Sequence, residues 1–261
     1  MKIALIQFRE VGKKYYFSIP KHIDLAIGEL VVVETTEGLE IGEVYSFKNE
    51  EEIEIMQALK PVVRIANSQD IEKNIENEYL ENNITINTQA LANELNLKMK
   101  ILDAEYTLDN QKLTIYFEAE GRIDFRELLK DLNANYSARI ELRQIGPRDV
   151  AKKIGGIGPC GLILCCQSFI GEFEPITIKM AKNQSVSLNH QKISGLCGKL
   201  LCCLKYEDDL YTELKRNMPD LYSKIKTDKG EGKVIDINLL RRMVKVQYRD
   251  SELANEWIEY H

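Results

Sequence analysis

The chain has 261 residues, 44% of them hydrophobic and 29% charged, an ordinary core-forming composition that excludes disordered and fibrous classes and suits one or two domains. Its net charge of −6 conceals a split: between Arg139 and Lys205 ten Lys or Arg stand against four acids, which makes this window +6 and the remainder −12. The apolar runs, such as Val31 to Val33 and Leu162 to Cys166, fall far short of the roughly 20 residues that cross a bilayer, so no membrane insertion is expected. In the opening MKIALIQFRE, Gln7, Arg9 and Glu10 cut short any signal-type apolar region. The expected location is therefore a reducing cytoplasm, where structural disulfides are rare.

Residues 1–66 predict a β-rich part. KIALIQF, KYYFSI and ELVVVETTEGLEIGEVYSF are short β-branched and aromatic runs split by Gly and Pro, with a hairpin turn at Thr35 to Gly38. An acidic helix is expected over Glu50 to Leu59, ahead of Pro61. Residues 67–146 predict an α+β layer of ferredoxin-like character. Ser68 to Leu95 is helical in composition, with a break expected near Asn82 to Asn87. KMKILDAEYT and KLTIYFEAE follow as strands around Asp109 and Asn110, then a helix over Asp124 to Leu132 and a strand ARIELRQI. Residues 147–210 form a cysteine-rich segment read as metal-binding. Residues 211–261 predict the end of a helix running from Tyr206 to Met218, stopped by Pro219, and then a C-terminal β-hairpin, GEGKVIDI and MVKVQYRD. An isolated hairpin is barely stable in water, so this one is expected to pack on another β element, with the sole Trp, Trp257, as its anchor.

All six cysteines fall in two copies of one pattern, CGLILCC (Cys160, Cys165, Cys166) and, 37 residues later, CGKLLCC (Cys197, Cys202, Cys203). At this cysteine frequency one such match is expected about 0.003 times by chance, so the repeat is not scatter. Thiolates are the ligands of zinc and of iron–sulfur clusters, and a glycine after the first cysteine, Gly161 or Gly198, permits a tight turn. Zinc sites commonly recruit histidine, and this chain has only His22, His190 and His261, which favours iron–sulfur over zinc. On a continuous helix the three thiols of one copy would point around the cylinder, so at least one must leave the helix to share a site. Six thiols do not fill two four-cysteine clusters: either one cluster takes four, or a partner supplies the rest. The competing readings are small buried hydrophobes and a thiol redox site, the latter without C-x-x-C spacing.

Gly156, Gly158 and Gly161 match G-x-G-x-x-G only formally, because DVAKKI is no buried strand and Pro159 interrupts the turn. Gly155 to Gly158, after Lys152-Lys153, has the G-x-x-G form of a nucleic-acid-clamping loop, though a glycine turn presenting Cys160 is the simpler account. The basic window divides between a solvated face and a contact surface for RNA or an acidic partner. Its candidate contact residues are Arg148, Lys152, Lys153, Lys199 and Lys205. Phe169 and Phe173 are its only aromatics, which gives base stacking little support. No Walker loop, G-x-S-x-G or H-E-x-x-H is present, so no catalytic residues are assigned and a non-enzymatic role is expected.

The runs IGGIGPCGLILCC, SGLCGKLLCCLKYE and GEGKVIDINLL resemble the RicT (YaaT) family, a bacterial group containing a polymerase-suppressor-type domain. The resemblance covers most of the chain and is most specific from Arg148 to Tyr206. It implies a non-catalytic subunit of a complex with two small helical partners, RicA-like (YmcA) and RicF-like (YlbF), carrying 4Fe-4S clusters. It further implies work with RNase Y in messenger RNA processing and turnover, linked to sporulation, competence and biofilm formation. The family's ligand positions fall on Cys160, Cys165, Cys166, Cys197, Cys202 and Cys203, without fixing which of them bind iron. The alternative from the residues alone is a zinc-stabilised nucleic-acid-binding module.

Overall fold

The computed structural model describes residues 2–9, 11–49, 58–248 and 254–260. The chain divides into two compact units, Met1–Glu172 and Phe173–His261. The boundary falls inside the cysteine-rich segment 147–210, so the first cysteine motif belongs to the first unit and the second motif to the second.

In the first unit, β1 (Lys2–Gln7), β2 (Lys14–Ser18), β3 (Leu30–Glu34), β4 (Leu39–Asn49) and β5 (Val62–Ile65) form one sheet in the order β2-β1-β4-β3-β5. All its pairings are antiparallel. The hairpin turn at Thr35 to Gly38 forms as expected: the Thr35 N–H donates to the Gly38 carbonyl at 2.8 Å. Ala4, Ile6, Phe17, Val31, Val33, Val44 and Val62 are its buried core. Most of the acidic helix expected over Glu50 to Leu59 lies outside the described residues, and Ala58 and Leu59 are not helical.

Helix α1 (Ser68–Glu94) opens with a capping box, in which the Asn67 side chain accepts from the Asp70 N–H and Asp70 accepts from the Asn67 N–H. It runs unbroken for 27 residues, which corrects the break expected near Asn82 to Asn87. The Asn82 and Asn83 amides and the Thr85 hydroxyl donate to the carbonyls of Glu78, Tyr79 and Glu81 one turn back, so their polar groups are satisfied without leaving the helix. Burial of Ile84 and Thr88 holds the same stretch against the sheet below. That sheet is β6 (Lys100–Tyr106), β7 (Lys112–Glu118) and β8 (Arg139–Gln144), in sequence order. β6 and β7 are antiparallel, whereas β7 and β8 are parallel, joined by a crossover through α2 (Arg126–Asn135). Leu128 and Leu132, four residues apart and buried, seat α2 on Leu113, Ile115 and Phe117. The fold class is α+β, as expected.

Short helices follow in both units: α3 (Pro147–Ile154) and α4 (Cys165–Ser168) in the first, then α5 (Ile178–Asn183), α6 (His190–Ile193) and α7 (Cys202–Arg216) in the second. Helix α7 starts at Cys202, four residues before the expected start at Tyr206, because the second cysteine motif itself opens the helix. The second unit closes with β9 (Lys224–Thr227), β10 (Gly230–Asn238), β11 (Met243–Tyr248) and β12 (Glu256–Glu259), in the order β12-β11-β10-β9. The expected hairpin is β10–β11, and it gains a partner strand on each side. Trp257 is not its anchor. Strand alternation turns Trp257 outward, 41% exposed, while its neighbour Ile258 and then Tyr260 pack on buried Val234, Val244 and Val246.

Candidate functional site

Each cysteine motif folds into the same hydrogen-bonded turn. In the first, the Gly158 N–H donates to Leu162 O at 2.8 Å, Gly161 N–H to Gly158 O at 2.9 Å and Leu164 N–H to Gly156 O at 3.1 Å. In the second, Gly195 donates to Lys199 at 2.8 Å, Gly198 to Gly195 at 2.9 Å and Leu201 to Ile193 at 2.9 Å. Every donor and acceptor is displaced by the same 37 residues, as are the bridges Ile157 to Ile163 and Ser194 to Leu200. The sequence repeat is thus a structural repeat. Gly161 and Gly198 sit at φ 81° and 71°, a region costly for side-chain-bearing residues, which is why glycine follows the first cysteine in both copies. Gly158 and Gly195 belong to the same design: a Cβ there would stand 3.5 Å from Cys160 Sγ and 3.7 Å from Cys197 Sγ. Extending the repeat two residues ahead of each cysteine would have marked them.

The turn settles which cysteines leave the helix. Cys160 and Cys197 lie in the turns, while Cys165 and Cys202 are the first residues of α4 and α7. Cys166 and Cys203 come one position on, about 100° around the helix. Cys160 is exposed, Cys166 buried, and the other four are half-buried. The first motif packs inward through Leu164 and Cys166, and the second through Leu204 and Ile193. The Gln184 amide also donates to Leu204 O at 2.5 Å. Each motif therefore presents one turn thiol and one helix-opening thiol, with the second member of the doublet directed elsewhere.

The donor chemistry fits a soft metal, since thiolates in a glycine turn are what zinc and iron–sulfur sites use. The arrangement as it stands is incomplete: among the described residues no three His, Cys, Asp or Glu side chains come together as a metal site.

The five candidate contact residues have different fates. Lys153 is largely buried, 17% exposed, its ammonium bound to Asp103, 3.3 Å from Glu105 Oε1 and 4.7 Å from the Tyr116 ring centre. Burial lowers its pKa, a trend that the Asp103 hydrogen bond opposes. Burial also lowers the pKa of half-buried Lys152, helped by the positive charge of Arg9. Lys205 is held by Glu174 at 3.2 Å and Asp209 at 3.6 Å, and the hydrogen bond to Glu174 raises its pKa. Arg148 is half-buried; of the five, only Lys199 is exposed. Two of the five, Lys153 and Lys205, are thus committed to acids within their own unit.

Two stretches carry the marks of the PSP1 class of proteins. Residues 60–145, which are β5 and the layer of α1, β6, β7, α2 and β8, match the PSP1 C-terminal conserved region. Residues 175–218, which include the second cysteine motif, match the third domain of PSP1-like proteins. Stage 0 sporulation protein YaaT of Bacillus subtilis is 45% identical over 253 residues, covering 97% of this chain and 92% of that protein. An uncharacterized protein of Schizosaccharomyces pombe is 38% identical over 86 residues, and protein PSP1 of Saccharomyces cerevisiae 35% identical over 95. These matches cover only 12% and 11% of the two yeast proteins. The chain belongs to the RicT (YaaT) family of PSP1-type proteins. Among the described residues, no helix is long and apolar enough to cross a membrane.

Proposed function

We propose that this chain is a non-catalytic regulatory subunit of a cytoplasmic complex, with RicA-like and RicF-like helical subunits, that works with RNase Y in messenger RNA processing and turnover. Sporulation, named in its Bacillus subtilis relative, is the process to which this regulation belongs, together with competence and biofilm formation. The cofactor of the reading is a 4Fe-4S cluster.

The observation that carries the reading is the duplicated turn, in which two thiols are offered at corresponding positions 37 residues apart. Cys160 and Cys165 in the first unit and, separately, Cys197 and Cys202 in the second are the residues that would ligate iron, with Cys166 and Cys203 the remaining thiols. The cluster, when bound, supplies electron exchange or a rigid cross-link. The chain's own residues set the spacing of the thiols through the Gly161 and Gly198 turns and anchor each turn on a small apolar core. Because six thiols do not fill two four-cysteine clusters, partner subunits completing the coordination is part of the proposal. The zinc-dependent nucleic-acid reading is weaker, because Lys153 and Lys205 are occupied by carboxylates.

The test is metal and sulfide analysis of anaerobically purified chain, alone and with its two partner subunits, in wild type and in Cys160→Ser and Cys197→Ser. The expected result is brown protein with iron and sulfide, occupancy rising when partners are added, and at least a several-fold loss in either variant. Colourless protein with stoichiometric zinc, or full iron occupancy unaffected by both substitutions, would overturn the proposal.

A further inference from the structure

Helix α1 carries two apolar faces, and among the described residues only one is packed into a core. Ile84, Thr88 and Ala92 are buried toward the β6–β8 sheet. Ile71, Ile75, Tyr79 and Ile86 fall within about 80° of one another on the opposite side, at 100° per residue. They are 38%, 60%, 73% and 68% exposed. Single exposed hydrophobics are ordinary, but several on one helix face mark an interaction surface; here Ile71, Ile75 and Tyr79 follow one another along the face, and exposed Asn82 separates Tyr79 from Ile86. This stripe extends about 22 Å along the helix at 1.5 Å per residue.

The stripe leads into a cleft of about 470 Å³ between α1, the end of β6, and β1 and β4. Ile71 and Ile75 line it, together with Leu30 and Leu108. Its charged lining is one-sided: among the described residues, Glu40, Glu43, Glu78, Glu81 and Glu105 stand against the single cation Arg9, which is paired with Glu105. Burial raises the pKa of both Glu40 and Glu81, and neighbouring carboxylates add to it, Glu37 for Glu40 and Asp103 and Glu78 for Glu81. Carboxylates crowded beside exposed aliphatic side chains repel nucleic acid and call for a cationic, apolar visitor.

We propose that this face of α1, with the acidic cleft at its N-terminal end, is the docking site for a basic amphipathic helix of a partner protein. The apolar side of that helix would lie on Ile71, Ile75, Tyr79 and Ile86, and its Lys or Arg residues would meet Glu40, Glu43, Glu78 and Glu81. This is helix-in-groove recognition with charge complementarity at the rim. It uses none of the cysteines, so it stands or falls separately from the cluster.

The test is fluorescence anisotropy of the full chain with a labelled Leu/Lys amphipathic peptide of about 18 residues, long enough at 1.5 Å per residue to cover the stripe. A Leu/Glu peptide of the same pattern is the control. The basic peptide should bind saturably, and more weakly at about 300 mM than at about 50 mM salt. Glu78→Lys and Ile75→Ser should each weaken it roughly tenfold, a loss of about 1.4 kcal/mol, while Cys160→Ser leaves it unchanged. Both substituted residues are exposed, and Tyr79→Ser is a third variant should either misfold. Equal binding of the acidic peptide, or binding unaffected by all three substitutions, would overturn the proposal. So would a self-associated chain that Ile75→Ser dissolves, because the face would then belong to a second copy.

Discussion

The substitutions Gly161→Ala and Gly198→Ala isolate the backbone cost of the cysteine turns. A Cβ at either position meets nothing within 4 Å, so sterics with neighbours are silent and only φ matters. At φ 81° and 71°, an L-residue costs about 1–2 kcal/mol. The stiffening of the unfolded chain by alanine offsets up to about 1 kcal/mol of this where the fold is compatible. A net loss of about 1 kcal/mol in each unit follows. Trp257 lies in the same unit as Gly198, so urea unfolding followed by its fluorescence, with far-UV circular dichroism alongside, reads Gly198→Ala directly. With a slope of about 1 kcal/mol per molar urea for a small unit, the midpoint should fall by about 1 M. Hydrogen exchange across residues 150–169 reads Gly161→Ala. Asparagine, which visits the left-handed region more readily, should cost less than alanine at both sites. The reasoning fails if alanine is tolerated without loss at either turn. It fails equally if the two losses differ by more than about 1 kcal/mol, because a shared geometry requires a shared cost.

Gly42→Ala should be worse, about 1–3 kcal/mol, because its Cβ would come 2.4 Å from Ile6 Cγ2 and 3.1 Å from Gln7 O; a thermal melt several degrees lower is the readout. Asn67→Ala removes the cap acceptor for the Asp70 N–H and should cost about 1 kcal/mol, seen as faster exchange in the first turns of α1. Arg64 holds the Asp70 carboxyl below its usual range, chiefly through their hydrogen bond. A depressed carboxylate stabilises above its unfolded pKa and loses that contribution as pH falls through the folded value. The melting-temperature deficit of Asp70→Asn should therefore be full at pH 7 and shrink below about pH 4, the ordinary aspartate range. Glu81 has the opposite sign: burial raises its pKa, so its ionised form weighs against the fold at neutral pH. Glu81→Gln, which keeps an acceptor for the Tyr106 N–H, should raise the melting temperature at pH 7. That gain should fade on acidification through the region just above the normal glutamate value.

Much of the fold was legible in the sequence because period and turn chemistry agree there. The run LVVVE reads as a strand and is buried at its three central valines, and Asn110 at φ 56° occupies the turn its residue type suggests. The errors have physical causes. Asn82, Asn83 and Thr85 disfavour helix as single residues, but each found a carbonyl one turn back, and burial of Ile84 outweighed their propensity. Trp257 looked like an anchor by size, yet strand alternation assigned the core to Ile258 and Tyr260. At the cysteine motifs the spacing disclosed the repeat, and the glycines disclosed the turn. Which thiol opens a helix depends on hydrogen bonds such as Leu164 to Gly156, which a linear pattern does not contain. Likewise, a count of lysines did not show that Lys153 would be taken by Asp103, 50 positions away in the chain.

Strand β8 closes one side of its sheet, and among the described residues its outer row of peptide groups has no neighbouring strand in that sheet. Arg139, Glu141 and Arg143 alternate along it, all exposed. A second molecule attempting to extend the ladder there would have to desolvate two guanidinium groups and a carboxylate, a cost that discourages fibre growth. These charges, two of which are among the ten cations of the basic window, thus serve as a guard rail against runaway polymerisation, and neutral β-formers in their place would make the protein sticky at high concentration.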